Sequence, residues 1–167
     1  VKRVVPLYEK GQLNKWQEDF FFFLAYKTFC TDGQLDRGLF SIYFFNIVKL
    51  EPGQAIFQDA GILHAYLEGQ NLEIMANSDN VLRGGLTNKH VDVPELLKHV
   101  KFEPTYPSVI NGEQRGPEWI FATTAADFEL RRIDVDSSGT SITTNSTDIF
   151  LLMEGTVEAK QGDTGIS

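Results

Sequence analysis

Short strand-like segments separated by turn residues constrain the fold of this chain more than any other feature. Within residues 61–92, brief apolar runs are interrupted by Gly, Asn and Asp. Apolar and polar side chains alternate over residues 63–68, and residues 72–75 form a second, mostly apolar run. An alternation with a period of two is typical of a half-buried β-strand. The pattern therefore predicts strands joined by tight turns.

The same alternation predicts that His64, Tyr66 and Glu68 share one face of a strand. Histidine and tyrosine both carry polar groups that need hydrogen-bond partners once they are buried. A barrel interior that contains both would be an unusual way to build a plain apolar core. We therefore interpret this stretch as a candidate functional site.

Further strand and turn signals precede this stretch. Residues 39–50 form a long run rich in aromatic and β-branched side chains, which suits a strand covered on both faces, although periodicity alone leaves a buried helix open. Pro52 and Gly53 have the composition of a type II turn, and a short strand is predicted over residues 54–57. Several short strands with regular turn signals predict an all-β barrel or sandwich.

Two helices are predicted in addition to the strands. Apolar side chains recur at three- and four-residue steps over residues 10–31, which is the period of an amphipathic helix. Asp92, Pro94 and Glu95 together form a helix start, and we expect a two-turn connector helix there. The composition then shifts to Pro, Tyr, Asn and Gly over residues 101–117, which indicates a domain boundary.

Charge and composition exclude several function classes. A net charge of -8 and a pI near 4.8 argue against a nucleic-acid or anionic-membrane partner, because such binding depends on clustered Lys and Arg. With 42% hydrophobic residues, disorder is not expected. Cys30 is the only cysteine, so no intrachain disulfide can form, and the apolar runs are too short to span a bilayer. We therefore expect a cytoplasmic location.

The segment LHAYLEG, followed by LEIMANSDNVLRGGLT, closely resembles the signature region of the type I phosphomannose isomerases. The resemblance extends upstream through GLFSIYFFNIVKLEPGQAIF and downstream through VDVPELLKHVKFE, and so covers residues 38–103. It implies a mainly β fold of the cupin jelly-roll type. It also implies an aldose-ketose isomerase that interconverts mannose 6-phosphate and fructose 6-phosphate by zinc-assisted proton transfer between C1 and C2.

The resemblance implies three segments and an incomplete chain. Residues 1–31 would be the tail of a helical domain, residues 32–103 the later strands of the catalytic cupin with the connector helix, and residues 104–167 the start of a C-terminal cupin-like domain. Because the chain begins at Val1 rather than Met and ends close to a predicted strand, we expect a C-terminal fragment of a longer protein. We expect this fragment to be inactive alone, and to self-associate or pack against the missing N-terminal part.

The resemblance also assigns a metal ligand. A strand histidine is often a hydrogen-bonded structural residue, but in this family the histidine at the position of His64 is a ligand of Zn²⁺. Its family companions, a Gln-x-His pair and a Glu, have no counterpart in this sequence. Because one protein ligand cannot hold Zn²⁺, we expect the remaining ligands to lie outside the chain.

Five further residues are candidates for roles at the sugar. Arg83 would stabilise negative charge on the enediol oxygens, with the glycines after it allowing substrate to approach the backbone; otherwise it would be a surface arginine paired with Asp79. Glu73 and Asp79 are the right type for proton transfer, and the sequence does not decide which group is the base. Tyr66 could orient substrate hydroxyls, and Lys89 could contact the substrate phosphate or simply be solvated.

A rival hypothesis from another class is a non-catalytic cupin that binds a sugar or serves as an interaction module. Cupin-like barrels host many functions, so the fold alone cannot choose between the two. A Gln-x-His pair and a Glu in upstream sequence would favour the enzyme, and their absence would favour the binding module.

Overall fold

In a computed structural model of the chain, the structure describes residues 1–78, 80–162 and 164–166. They form three small antiparallel sheets and a few short helices. The chain divides into two units, Val1–Asp134 and Val135–Ser167. The small sheets agree with the predicted β-rich fold. None of the described helices is long and apolar enough to cross a membrane.

Helix α1 (Val4–Glu9) and helix α2 (Glu18–Phe29) pack against each other through aromatic rings. The rings of Tyr8 and Phe23 stack with their centroids 3.7 Å apart. Acidic residues occupy the first turn of α2 and favour the positive end of its dipole. Among the described residues, the buried apolar side chains all belong to the first unit: Val4, Phe21, Phe23, Leu39, Ile42 and Phe121.

The single helix predicted over residues 10–31 is only partly right, because residues 10–17 form turns and loop between α1 and α2. Gly11 has φ +64°, a left-handed conformation that ends α1. Its N–H donates to the Tyr8 carbonyl at 2.8 Å, and the N–H of Gln12 donates to the Leu7 carbonyl at 2.9 Å. This pair of bonds is the Schellman pattern of helix ends. The second helix starts only at Glu18.

The strand predicted for the run at residues 39–50 is wrong, because the first half of the run is helical and no strand forms over the rest. A 3₁₀ helix (Arg37–Phe40) leads directly into α3 (Ser41–Phe44), and the chain becomes extended at Phe45. Leu39 and Ile42 are buried three residues apart, which is a helical and not a strand spacing. The buried-helix alternative therefore applies here.

The turn and strand that follow match their predictions. The Gln54 N–H donates to the Glu51 carbonyl at 3.0 Å, and Gly53 has φ +82°, as a type II turn requires. Strand β1 (Ala55–Ile56) lies within the predicted strand and pairs antiparallel with β2 (Val109–Ile110).

The other two sheets are formed by neighbours in the sequence. The three-stranded sheet has the order β3-β4-β5, in which each strand pairs antiparallel with the next. A separate pair of strands lies in the second unit. The bounds of these strands are β3 (Glu113–Arg115), β4 (Glu118–Phe121), β5 (Leu130–Ile133), β6 (Ala159–Gln161) and β7 (Thr164–Ile166).

Helix α4 (Val93–His99) confirms the predicted connector. Asp92 caps it by accepting a hydrogen bond from the Glu95 N–H at 3.0 Å, and Pro94 lies in the first turn. By contrast, no strand occurs in the described parts of residues 61–92, so the strands predicted at residues 63–68 and 72–75 are wrong in this structure. A strand is stabilised by a neighbouring strand, and here no strand pairs with either run.

Candidate active site

His64, Tyr66 and Glu73 form a cluster on the surface of the first unit. The His64 and Tyr66 rings lie edge to face with centroids 6.1 Å apart. The Nε2 atom of His64 is 4.0 Å from Oε1 of Glu73. The predicted strands are absent, yet three of the predicted site residues still lie together. Glu68, predicted to share their face, instead pairs with Lys15 at 2.7 Å.

The hydrogen bond of His64 determines its tautomer. Its Nδ1 lies 3.1 Å from the carbonyl oxygen of Ile62. A carbonyl oxygen can only accept, so Nδ1 carries the proton and donates. In the neutral ring, Nε2 then keeps its lone pair and faces the Glu73 carboxylate. This is the arrangement in which a histidine can bind a metal through Nε2.

The phenol of Tyr66 is held in its protonated form. Partial burial raises its pKa, the Glu73 side chain raises it further, and the Asn71 side chain opposes the shift. A raised pKa keeps the Tyr66 hydroxyl a hydrogen-bond donor at neutral pH. The cluster therefore offers a lone pair on His64, a hydroxyl donor on Tyr66 and a carboxylate acceptor on Glu73.

The loop after Arg83 is held against the start of the 3₁₀ helix by one carboxylate. Asp36 accepts a hydrogen bond from the Gly38 N–H at 2.7 Å and another from the Leu86 N–H at 3.0 Å. The two donors lie on segments about fifty residues apart in sequence. Sequence reasoning missed Asp36, because its partner Leu86 is remote and apolar. The only local signal was an Asp two residues before a glycine.

On their Cβ side, the glycines after Arg83 lie close to other segments of the chain. At Gly85, whose φ is +124°, an added Cβ would lie 3.1 Å from the Gly38 Cα. At Gly84, it would lie 3.3 Å from a methyl carbon of Leu63. The Cβ side of both glycines is therefore occupied by the protein itself, although Gly84 is exposed, and the approach of substrate to this backbone stays a prediction.

The Arg83 loop also lies next to the His64 segment, since the side chain of Leu63, which directly precedes His64, lies 3.3 Å from where a Cβ at Gly84 would be. Tyr66 and Leu86 line a common cavity of about 190 Å³, whose other walls are mainly apolar side chains of α2. Such apolar walls suit packing better than they suit a sugar phosphate.

The remaining predicted site residues are more scattered. Arg83 is half-buried, while Lys89 is exposed and donates its backbone N–H to the Thr87 hydroxyl oxygen at 3.1 Å. Asp79 lies outside the described residues, so its predicted role and its pairing with Arg83 are not addressed by the structure.

The residues of the cluster fit part of a zinc site. His64 and Glu73 are of the donor types that Zn²⁺ accepts, but a zinc site in a protein needs at least three protein ligands. Over residues 1–78, 80–162 and 164–166, no group of three His, Cys, Asp or Glu side chains is arranged to hold a metal ion. The described residues thus supply His64 and Glu73 as possible zinc ligands and, by themselves, no complete site.

Comparison with known proteins gives a consistent set of relatives. The mannose-6-phosphate isomerase of Escherichia coli K12 is 45% identical over 122 residues, covering 72% of this chain and 31% of that protein. The enzyme of Mus musculus is 40% identical over 135 residues, covering 74% of this chain and 31% of its own length. The enzyme of Homo sapiens is 36% identical over 137 residues, covering 77% and 32% respectively. No family model matches the chain, and no solved structure matches it significantly.

All three relatives are named as isomerases of a sugar phosphate, and the sequence of this chain is similar to the sequences of that class. More particularly, the chain is homologous to the mannose-6-phosphate isomerases over about three quarters of its own length, as the signature segments predict. It spans about a third of the length of these relatives.

Proposed function

We propose that the chain is part of a zinc-dependent isomerase that interconverts mannose 6-phosphate and fructose 6-phosphate in the cytoplasm, on a cupin-type jelly roll completed by the rest of the protein. The observation that carries the proposal is the 45% identity to a mannose-6-phosphate isomerase over 72% of the chain. The grouping of His64, Tyr66 and Glu73 around a free imidazole lone pair supports it independently.

The proposed reaction moves one proton between neighbouring carbons. A base removes the proton from C2 of open-chain mannose 6-phosphate while O1 gains a proton, giving an enediol; the base then returns its proton to C1 while O2 loses its proton, giving fructose 6-phosphate. Glu73 is our candidate for this base within the described residues, and Asp79 is the alternative. Bound Zn²⁺ would polarise the substrate oxygens as a Lewis acid.

The other residues of the chain bind and orient the substrate in this proposal. His64 would ligate the metal through Nε2, because its Nδ1 is committed to the Ile62 carbonyl. Tyr66 would donate its hydroxyl hydrogen to a sugar oxygen, because a phenol is protonated at neutral pH and the pKa of Tyr66 is raised further by partial burial and by Glu73. Arg83 would face the developing negative charge of the enediol, and Lys89 would contact the phosphate.

The first test is the metal dependence of the full-length protein. We expect conversion of mannose 6-phosphate in a coupled assay, loss of this activity after chelation and its return with Zn²⁺. His64→Ala should lower the zinc retained after dialysis, whereas His99→Ala should not, because His99 is an exposed residue that pairs with Glu95. Activity that survives exhaustive chelation would rule out the zinc mechanism. Sugar binding without turnover would support the binding module instead.

The second test separates binding from catalysis at Arg83. Arg83→Ala should lower kcat roughly a hundredfold or more while KM changes little, because the charge it meets exists only in the transition state. Arg115→Ala is the matched control, since Arg115 is exposed and pairs with Glu113 on β3. An effect confined to KM would reassign Arg83 to ground-state binding.

A further inference from the structure

We propose that Asp36 is a positioning residue of the site, which fixes the backbone of residues 83–86 and thereby the direction in which Arg83 leaves the chain. The inference rests on the proposed function, because it assumes that Arg83 acts on the substrate. The hydrogen bonds by which Asp36 holds the loop are observed in the structure and do not depend on that assumption.

The first step is the use of both oxygens of one carboxylate. Oδ1 of Asp36 accepts from the Gly38 N–H, and Oδ2 accepts from the Leu86 N–H. Both bonds are part-buried, and hydrogen bonds to an ionised carboxylate are stronger than neutral ones. Asp36 therefore links the start of the 3₁₀ helix to the loop that follows Arg83. We call this pair of bonds the Asp36 clip.

The second step is the backbone conformation that the Asp36 clip maintains. Leu86 has φ +49°, which is uncommon for a residue with a side chain, and Gly85 has φ +124°. Such conformations persist where the surrounding structure holds them in place. The hydrogen bond from the Leu86 N–H to Asp36 is one such restraint, and the backbone of Gly38, which leaves little room for a Cβ at Gly85, is another.

The third step connects this restraint to Arg83. Two glycines separate Arg83 from Leu86, and glycine allows a wide range of φ and ψ. Without the Asp36 clip, the segment would sample many conformations, and the guanidinium would sample many positions. A reacting group displaced by about 1 Å can lose roughly a hundredfold in rate. The clip thus acts on catalysis through Arg83 and not by touching the substrate.

The test uses two variants of the full-length protein. Asp36→Ala removes both acceptors, and Asp36→Asn keeps the size of the side chain but replaces one acceptor with a donor. We expect amide hydrogen exchange at Leu86 to become roughly tenfold faster or more in each variant. We also expect kcat for mannose 6-phosphate to fall roughly tenfold to a hundredfold while KM stays within about twofold. Asp36→Asn keeps the test decisive if Asp36→Ala does not fold.

Two controls separate positioning from general destabilisation. Zinc content should be unchanged in both variants, because the polar partners of His64 are Ile62 and Glu73, whereas Asp36 bonds to Gly38 and Leu86. Asp59→Ala, which removes an exposed carboxylate paired with Lys101, should change neither the exchange at Leu86 nor kcat.

Each outcome has a distinct meaning. Unchanged exchange at Leu86 in both variants overturns the Asp36 clip. Faster exchange with unchanged kcat overturns the positioning of Arg83. If the unmodified protein does not isomerise mannose 6-phosphate, the proposed function fails and the catalytic role of Asp36 fails with it, whereas faster exchange in Asp36→Ala still supports the clip.

Discussion

One cluster of polar side chains, Arg3, Asp19 and Tyr43, links α1, α2 and α3. The carboxylate of Asp19, on α2, accepts from both terminal nitrogens of Arg3, which precedes α1, and from the Tyr43 hydroxyl on α3 at 2.7 Å. The hydrogen bonds from Arg3 lower the pKa of Asp19 against the effect of partial burial. Partial burial, and next the bond to Asp19, raise the pKa of Tyr43 to about 12. The two shifts make the stability of the first unit sensitive to pH at both ends of the scale.

At low pH we expect Asp19 to contribute to unfolding. A carboxyl whose pKa is lowered in the folded state stabilises the fold above its ordinary value of 3.8, and this contribution is lost as the pH falls through the lowered value. Asp19→Asn should therefore flatten the loss of unfolding free energy between about pH 5 and about pH 2. Urea titrations at several pH values measure the unfolding free energy of each variant. Arg3→Gln should flatten it similarly, and the double variant should add little; additive effects would contradict the coupling.

At high pH we expect Tyr43 to contribute. A phenol whose pKa is raised in the folded state stabilises the fold below its ordinary value of 10.0, and the contribution is lost as the pH rises towards about 12. Tyr43→Phe should remove this part of the alkaline loss and cost about 1 kcal/mol at neutral pH through the lost hydrogen bond. Thermal melts between these pH values provide the measurement. Tyr106→Phe, at a residue 88% exposed, is the control, and equal curves for both variants would refute the assignment.

The helices, turns and loops show which features can be predicted from a sequence. Features determined by adjacent residues were predicted correctly, such as the Asp92 cap and the turn at Pro52 and Gly53. The strand over residues 39–50 was not, because the helical half of the run depends on a cap at Asp36 and on the burial of Leu39 and Ile42 while its aromatic rings stay exposed. Burial is decided by remote contacts, which periodicity cannot supply in a mostly apolar run.

The candidate site likewise has features that the sequence predicts and features that it does not. The types and spacing of His64, Tyr66 and Glu68 indicated a site; His64 and Tyr66 lie together with the candidate base Glu73 although the predicted strands are absent, whereas Glu68 pairs with Lys15. The hydrogen bond from Leu86 to Asp36 could not be predicted, because a backbone N–H has no sequence signature. Nor could the sequence show that Gly38 occupies the space next to Gly85.

The loop after Arg83 offers a matched pair of glycine substitutions. Gly85→Ala should destabilise the protein by about 1–3 kcal/mol, because the residue has a φ of +124° and its new Cβ would meet rigid backbone of Gly38 at 3.1 Å. Gly84→Ala should cost less than about 1 kcal/mol, because its nearest neighbour is the flexible side chain of Leu63. Chemical denaturation of both variants compares them directly. Equal losses of unfolding free energy in the two variants would show that the backbone of Gly38 does not restrict the space next to Gly85 in solution.

At the scale of the whole molecule, apolar surface is distributed unevenly between the two units. The described residues of the second unit include no buried side chain, whereas the first unit has a small core. The second unit instead exposes a continuous apolar run at residues 149–153, in which Ile149 is 93% and Met153 71% exposed. Monomeric proteins rarely leave such a run open to water, and runs with high β-propensity and no charge pair readily with another chain.

We therefore expect the isolated 167-residue chain to self-associate through this run and to have no isomerase activity. Each large apolar side chain transferred out of water contributes about 1.5–3 kcal/mol, so a few of them can support an association comparable to the stability of a small domain. Light scattering should show oligomers at micromolar concentration, and Leu151→Lys should shift them towards monomer, since a charge in the centre of the run opposes pairing. Phe102→Lys, at an exposed position of the first unit, adds the same charge elsewhere and should leave the oligomers unchanged. A monomer that isomerises mannose 6-phosphate without any other chain would contradict both this expectation and the proposal that the zinc site is completed from outside the chain.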